Sequence, residues 1–517
     1  MSCDPGHPAA PPFFLRLSPG QLAGLYIVVL VLVWSVLPGL IQSTPPADNI
    51  EQLNWAHALQ WGYAKHPPLP TALLIGFEQV FGSSADLTYF LAMMCVGITL
   101  WMLWLCAKEC LSPESALVAL LLSSANYYLM GRGSFFNHNT VMAPFVAISV
   151  WSVLRIIRSP SDASWPIWLL LGLSQACGTL VKYQMALPII ANLACLLACG
   201  AHRQPRFAVK LTLASAATAL PLVPHLLWLS GHHFSTFSYA SGSLLASHGI
   251  GGRLHDVFGF VAQQIGRFAP ALVSVGICLL IARKSSAPCS GTAQGGCGYR
   301  EASGLPVSPA PVALVATIPG LCIVLLTLGM GSSPQNHWGA TTTLLLPLLL
   351  VVWLPRIRQL SAQLVLKVVV GVQAVSVAWV AVAAHLSPSF VHQFPAQPLA
   401  GLADAYWVSH ADGVSPQYVI GPAWIAGSIA IELPGHPAVM GNGKRDDAPW
   451  ITNEKLAQCG ALLIWDPAVP VDGQVDPGIL AQATEHGSIQ TILPSGRLTR
   501  LDLAVLHRDP NLSCTMP

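Results

Sequence analysis

Eleven uncharged apolar runs dominate the sequence between residues 22 and 384. They lie near 22–41, 87–107, 115–131, 140–154, 166–181, 184–200, 211–231, 268–282, 312–331, 339–354 and 368–384. Apolar runs approaching ~20 residues are what a helix needs to cross a bilayer. Only 9% of the 517 residues are charged and 53% are hydrophobic, whereas soluble domains carry roughly 25% charged residues. Such a chain can neither solvate one globular surface nor remain disordered. A net charge of +2 with no basic block sets nucleic-acid binding aside. The fold class is an α-helical polytopic membrane protein with about eleven transmembrane helices.

A twelfth apolar run, 68–81, is short, contains Glu78, and reads as a helix lying at the interface. Eleven crossings with the N-terminus inside place thirteen Lys and Arg on inner segments and five on outer loops. That asymmetry follows the positive-inside rule. Run 22–41 is too long for a signal core and no A-x-A site follows it, so it reads as a retained first span.

Charge divides the chain in two. Residues 1–385 hold 28 charged positions and residues 386–517 hold 18. The expected organisation is a transmembrane domain over 1–385, with its first loop at 42–67, and a soluble domain over 386–517. In that tail, short apolar runs at 418–420, 438–440, 461–465, 489–493 and 501–506 alternate with helix-like segments near 423–432, 452–458 and 478–486. The pattern predicts a small α/β domain with a partly parallel sheet. Most cysteines fall inside spans, Cys289 and Cys297 sit in an inner loop, and only Cys459 and Cys514 lie in the tail, where one disulfide is open to them.

The polar residues of the membrane part gather on the outer loops. The first loop carries Asp48, Asn49, Glu51, Trp55, Trp61, Tyr63, Lys65 and His66, ending in Pro67-Pro68. It fits an interfacial loop capped by Asp48, or an acid and two bases that handle an anionic lipid head. The second holds Arg132 and Asn137-His138-Asn139, suited to loop polarity or to phosphate and hydroxyl binding. Lys182 stands between two apolar runs, as a snorkelling lysine or as a phosphate ligand. A long outer loop, 232–267, contains His232, His233, His248, Arg253, His255 and Arg267, and a short one contains Asn336-His337-Trp338. Fifteen of the 17 histidines lie outside or in outer half-spans, yet none has a recognisable metal-ligand spacing. They read as satisfied or solvated, and no metal site is expected.

The run from Asp48 through Trp61-Gly62-Tyr63-Ala64-Lys65-His66-Pro67-Pro68-Leu69 resembles the first-loop signature of polyprenyl-phosphate-sugar glycosyltransferases with a GT-C fold, glycosyltransferase family 39. These include protein O-mannosyltransferases and lipid A aminoarabinose transferases. Supporting matches are the second loop, the turn Gly178 to Tyr183 and the Asn336-His337-Trp338 opening. The resemblance covers about 20–385; the tail resembles, more weakly, the extracytoplasmic domain of some relatives.

The resemblance implies an integral membrane glycosyltransferase of the bacterial inner membrane, multi-pass, with a cytoplasmic N-terminus and a periplasmic tail. It implies Asp48 as the catalytic carboxylate, and Tyr63, Lys65, His66, Arg132, Asn139 and Lys182 around the donor phosphate and sugar. Asn49, Glu51, His138, His255, His337 and Trp338 are candidates for acceptor contact or support. Asn49 stands where the family carries Glu, and Asn139 where aminoarabinose transferases carry Asp. Both departures weaken the case for a bound divalent cation, which stays open but not favoured, and no other cofactor is implied. The expected partners are a polyprenyl-phosphate-linked sugar and a lipid, glycan or protein acceptor, with no nucleotide and no nucleic acid. Direct attack would invert the anomeric centre. A flippase for lipid-linked sugars would share the spans and cations, though it needs polar groups at mid-depth, where His225 stands nearly alone. A non-catalytic envelope assembly subunit is the third class.

Overall fold

The structure is a computed structural model and describes residues 17–159, 165–244, 249–285, 308–386, 394–411, 415–471, 473–493 and 496–514. The expectations for His248 and for the loop with Cys289 and Cys297 lie outside the described residues.

The chain opens with α1 (Pro19–Ile41), capped by Ser18 and Gln21 in a reciprocal capping box. The first loop holds α2 (Ala47–Trp55) and leads to α3 (Leu69–Phe81). Then come α4 (Ala85–Lys108), α5 (Pro113–Ser124), α6 (His138–Arg158), α7 (Trp165–Val181) and α8 (Ala186–Ala198). They are followed by α9 (Phe207–Ala219), α10 (Val223–Gly231), α11 (Ser235–Leu244), α12 (Ile250–Ser285) and α13 (Ala310–Met330). The helical part closes with α14 (Gly339–Thr343), α15 (Leu346–Trp353), α16 (Pro355–Arg358) and α17 (Ala362–Leu386).

Each of the eleven expected spans is helical over much of its length, but among the described residues only seven helices are long and apolar enough to cross a membrane. The run 115–131 stops at Ser124, because the Asn126 side chain accepts from the Tyr128 N–H and starts a tight turn. The run 339–354 is split. Pro347 has no N–H for the carbonyl four residues back, and the Asn126 amide takes that Thr343 oxygen instead at 3.1 Å. The expected loop 232–267 is largely helical: α11 and the first half of the 36-residue α12 occupy it.

Buried polar groups tie the bundle together. Gln373 of α17 donates to the Ser124 carbonyl at 2.7 Å and accepts from Trp34 Nε1 of α1 at 3.2 Å. On the face that the positive-inside rule places inward, buried Glu109 is paired with Arg158 at 3.0 Å and Arg155 at 3.7 Å. A lone buried acid there would be costly, and two guanidinium groups offset that.

The tail starts with α18 (Ala396–His410) and builds a five-stranded sheet from β1 (Tyr418–Gly421), β2 (Ala438–Gly441), β3 (Ala461–Trp465), β4 (Thr484–Ile492) and β5 (Leu498–Leu506). The order is β2-β1-β3-β5-β4, with the first three parallel and the rest antiparallel. Its other helices are α19 (Ala423–Ala430), α20 (Asn453–Cys459) and α21 (Pro477–Leu480). The expected third helix, 478–486, is shorter because β4 begins at Thr484 and claims those residues for the β5 ladder. Cys459 and Cys514 form a disulfide.

The tail rests on the first loop. Trp424 Nε1 donates to the Pro45 carbonyl at 3.2 Å, and Asn54 Nδ2 to the Ala423 carbonyl at 3.2 Å. Thr44 Oγ1 donates to the Phe394 carbonyl at 2.7 Å. Gly427 of α19 faces Ile50 and Asn54 so closely that a Cβ there would overlap both side chains. Helix α2 is thus held between the bundle and the tail.

Candidate active site

Asp48 lies in the first turn of α2, where a carboxylate suits the positive end of the helix. Its side chain is 41% exposed. Asn137 Nδ2 donates to Oδ2 at 2.8 Å, and the Arg132 guanidinium stands 3.7 Å from the same oxygen. Among the described residues no hydrogen bond reaches Oδ1. Asn137 is also the N-cap of α6, accepting from the Asn139 and Thr140 N–H groups at 2.9 and 3.1 Å. Arg132 lies over the Phe135 ring at 4.0 Å, which fixes its plane.

Lys182 follows the last residue of α7 and donates to Asn139 Oδ1 at 2.8 Å. Burial pushes its ammonium down to about 7, against the opposing pull of Asp48. His66 is held down at about 3 by burial and then by Lys182 and Lys65. His337 is held down at about 3 by burial, Lys182, Arg132 and Arg267. Both imidazoles therefore stay neutral at ordinary pH. The His66 and His138 rings lie 3.8 Å apart, and His138 Nε2 is buried with no hydrogen-bond partner.

Part of this cluster borders a cleft of about 400 Å³ with two kinds of wall. Arg132, Asn137, Asn139 and His337 form the polar side; Leu129 and Leu344 are among the apolar residues opposite. A phosphate with a hydrocarbon tail matches that division. Among the described residues no three His, Cys, Asp or Glu side chains gather as a metal site.

The other expected residues divide. Asn49 is 0% exposed, donates to Thr88 Oγ1 at 2.7 Å and accepts from the Phe136 N–H at 3.1 Å. It ties α2 to α4 and the second loop and reaches no ligand. Tyr63 is 2% exposed, gives its hydroxyl to the Ala58 carbonyl at 2.8 Å and stacks on Trp55. Lys65 is not a free cation, being ion-paired with Glu51 and facing the tail. Burial pushes Glu51 upward against the pull of Lys65. His255 is 88% exposed beside Asp256, with no contact to the cluster; α12 carries its ring away. Trp338 contributes its carbonyl, which accepts from Gln184 Nε2 at 2.7 Å.

Four contributors escape sequence reasoning. Asn137 stands in the quoted triplet, and its position just before a helix was the available signal. The Asn336 carbonyl receives Tyr128 Oη at 2.7 Å, Arg267 at 2.5 Å and Gln264 Nε2 at 3.1 Å, which fixes the turn presenting His337. His225 does not stand free at mid-depth. Its Nδ1 lies 2.5 Å from the Trp61 carbonyl and must donate, so Nε2 accepts from Tyr183 Oη at 2.7 Å. That chain joins the Lys182 turn to the first loop. Asp447 of the tail faces Lys65 across a second cleft.

The chain has the fold of membrane glycosyltransferases of the GT-C class, and the proteins it is similar to are glycosyltransferases. The family described as dolichyl-phosphate-mannose-protein mannosyltransferase matches residues 65–228. The lipopolysaccharide core galacturonosyltransferase RgtA of Rhizobium johnstonii is 22% identical over 464 residues, covering 86% of each chain. ArnT from Cupriavidus metallidurans, solved bound to undecaprenyl phosphate, superposes with a TM-score of 0.62 at 13% identity, over 97% of this chain and 100% of that one. Its apo form superposes at 0.58, over 94% and 98%. At such identity the likeness establishes the shared fold.

Proposed function

We propose that this enzyme transfers a sugar from a polyprenyl-phosphate donor to a glycolipid or glycan acceptor at the periplasmic face of the bacterial inner membrane. The observation that carries this reading is Asp48, with one oxygen held by Asn137 and Arg132 of the cleft's polar wall and the other without a hydrogen bond among the described residues. RgtA, by its name, acts on the lipopolysaccharide core and transfers a galacturonosyl group. That acceptor and sugar are the first to test here. The undecaprenyl phosphate in the ArnT structure supports a lipid phosphate as the leaving group.

In this mechanism Asp48 takes the proton of the acceptor hydroxyl as its oxygen attacks the anomeric carbon. The bond from that carbon to the phosphate oxygen breaks, and its electron pair leaves with polyprenyl phosphate. Arg132 and protonated Lys182 stabilise the charge that builds there, and Asn139, His66 and His337 contribute neutral dipoles. Attack from the side opposite the phosphate inverts the centre. The tail disulfide supports an oxidising compartment for residues 394–514, in keeping with the cation asymmetry.

The test is transfer by the purified full chain in lipid nanodiscs. It uses polyprenyl-phosphate galacturonic acid and lipopolysaccharide from a strain lacking the gene. Asp48→Asn is expected to lose at least ~100-fold in turnover. Wild-type turnover in that variant would remove Asp48 from the mechanism.

A further inference from the structure

A second cleft, about 330 Å³, lies between the first loop and the tail. Glu51, Asn54, Trp55 and Lys65 line it from the first loop, and Gly441 and Asp447 from the tail.

Its place in the tail follows from topology. Strands β1 and β2 are parallel neighbours. Helix α19, after β1, packs on the face bearing Val419 and Val439; helix α20, after β2, packs on the face bearing Ile420 and Met440. The cleft lies at the carboxyl ends of these strands, the end at which open α/β sheets bind ligands. Gly441 closes β2 at that point and Ala423 follows β1. The tail thus turns its ligand-binding edge onto the first loop.

The chemistry of the crevice is not that of the donor cleft. Glu51 and Asp447 offer carboxylate acceptors, Lys65 a donor, and Trp55 an aromatic wall. Alternating acceptors and donors beside an aromatic ring suit a polyhydroxylated ring. Helix α2 links the two clefts: its Asp48 accepts from Asn137 of the first cleft's wall, and its Glu51, Asn54 and Trp55 line the second. Asp48, Glu51 and Trp55 are spaced i, i+3 and i+7, so they share one helix face. Asp48 and Glu51 are separated by a rise of about 4.5 Å. A sugar gripped by Glu51 and Asp447 therefore brings a neighbouring hydroxyl to Asp48.

We propose that this crevice is the acceptor subsite, holding the sugar head of the acceptor glycan between the first loop and the tail. This rests on the glycosyltransfer reading above. The tail then belongs to the active site rather than being an appended module.

The test is binding of one probe to the full chain in nanodiscs: the core oligosaccharide released from lipopolysaccharide of a strain lacking the gene. Saturation-transfer NMR and titration calorimetry read the binding. Two independent variants alter the crevice: Asp447→Asn removes a hydroxyl acceptor, and Ala423→Leu, at a half-buried lining position, narrows the space. Each is expected to raise Kd at least tenfold while the Kd for undecaprenyl phosphate and the thermal unfolding profile of the full chain stay at their wild-type values, the second of these reporting an intact tail. No binding by the wild type, or unchanged Kd in both variants, overturns the proposal. Asp48→Asn separates the two readings. It should bind the oligosaccharide normally, and its turnover bears on the catalytic assignment alone.

Discussion

Asn137 donates its side-chain amide to Oδ2 of Asp48 at 2.8 Å while its carbonyl oxygen caps α6. One residue thus fixes both a helix start and a carboxylate. Asn137→Asp keeps a good N-cap but sets two carboxylates against each other, so one must hold a proton. Turnover is expected to fall on the order of 100-fold, as for loss of a general base. The melting temperature should stay within a few degrees of wild type. Transfer assays and calorimetry on the same preparation check this.

Lys182 gives donor binding a pH dependence. Its free-enzyme value lies at about 7, so above that pH most molecules hold a neutral amine. A bound phosphate favours the ammonium, and binding then takes up a proton. The Kd for undecaprenyl phosphate should rise by ~10-fold per pH unit above about 7, until the pKa of the complex is reached. Below pH 7 it should be flat in this group. Lys182→Ala should weaken binding at pH 6.5 and abolish the slope. A titration series from pH 6 to 9 measures both.

Asn49 uses its amide as donor and acceptor at once, toward Thr88 and the Phe136 N–H. Asn49→Asp removes the donor and buries a carboxyl group. The expected loss is about 1–3 kcal/mol of stability, seen as an earlier thermal transition. An equal or higher midpoint would mean that the site accommodates an acid.

Gly62 packs under the indole of Trp228, and a Cβ at that position would overlap the ring. Gly62→Ala should cost about 1–3 kcal/mol through overpacking. Gly62→Ala combined with Trp228→Ala should recover much of that cost, since the second change removes the obstacle. Thermal melts of the single and double variants form the cycle.

Much of this was legible in the sequence because bilayer spans leave a strong local record. Each uncharged run is helical over much of its length, though some are split, and the first-loop signature begins on the helix that carries Asp48. What was lost depended on partners remote in sequence. Lys65 looked like a free cation until Glu51, 14 positions away, and Asp447 of the tail closed around it. His225 looked isolated, since nothing local reveals that Trp61 and Tyr183 meet it. The end of α5 and the break at Pro347 share one cause, Asn126, whose amide reaches a carbonyl 217 positions on. Tyr63 sits in the signature for its packing; a motif records selection on geometry as readily as on chemistry.

The hydrogen bond from Trp424 to the Pro45 carbonyl sets an order in time as well as in space. Asp48 is made early, yet the brace beside it is synthesised 379 residues after its partner Pro45. On the proposed topology that brace must also cross the bilayer before it can dock. A nascent enzyme would hold its donor cleft and an unsupported base until then. Activity would switch on only once the tail has docked. A chain stopped after residue 386 should accordingly insert into the membrane and bind undecaprenyl phosphate, and transfer nothing.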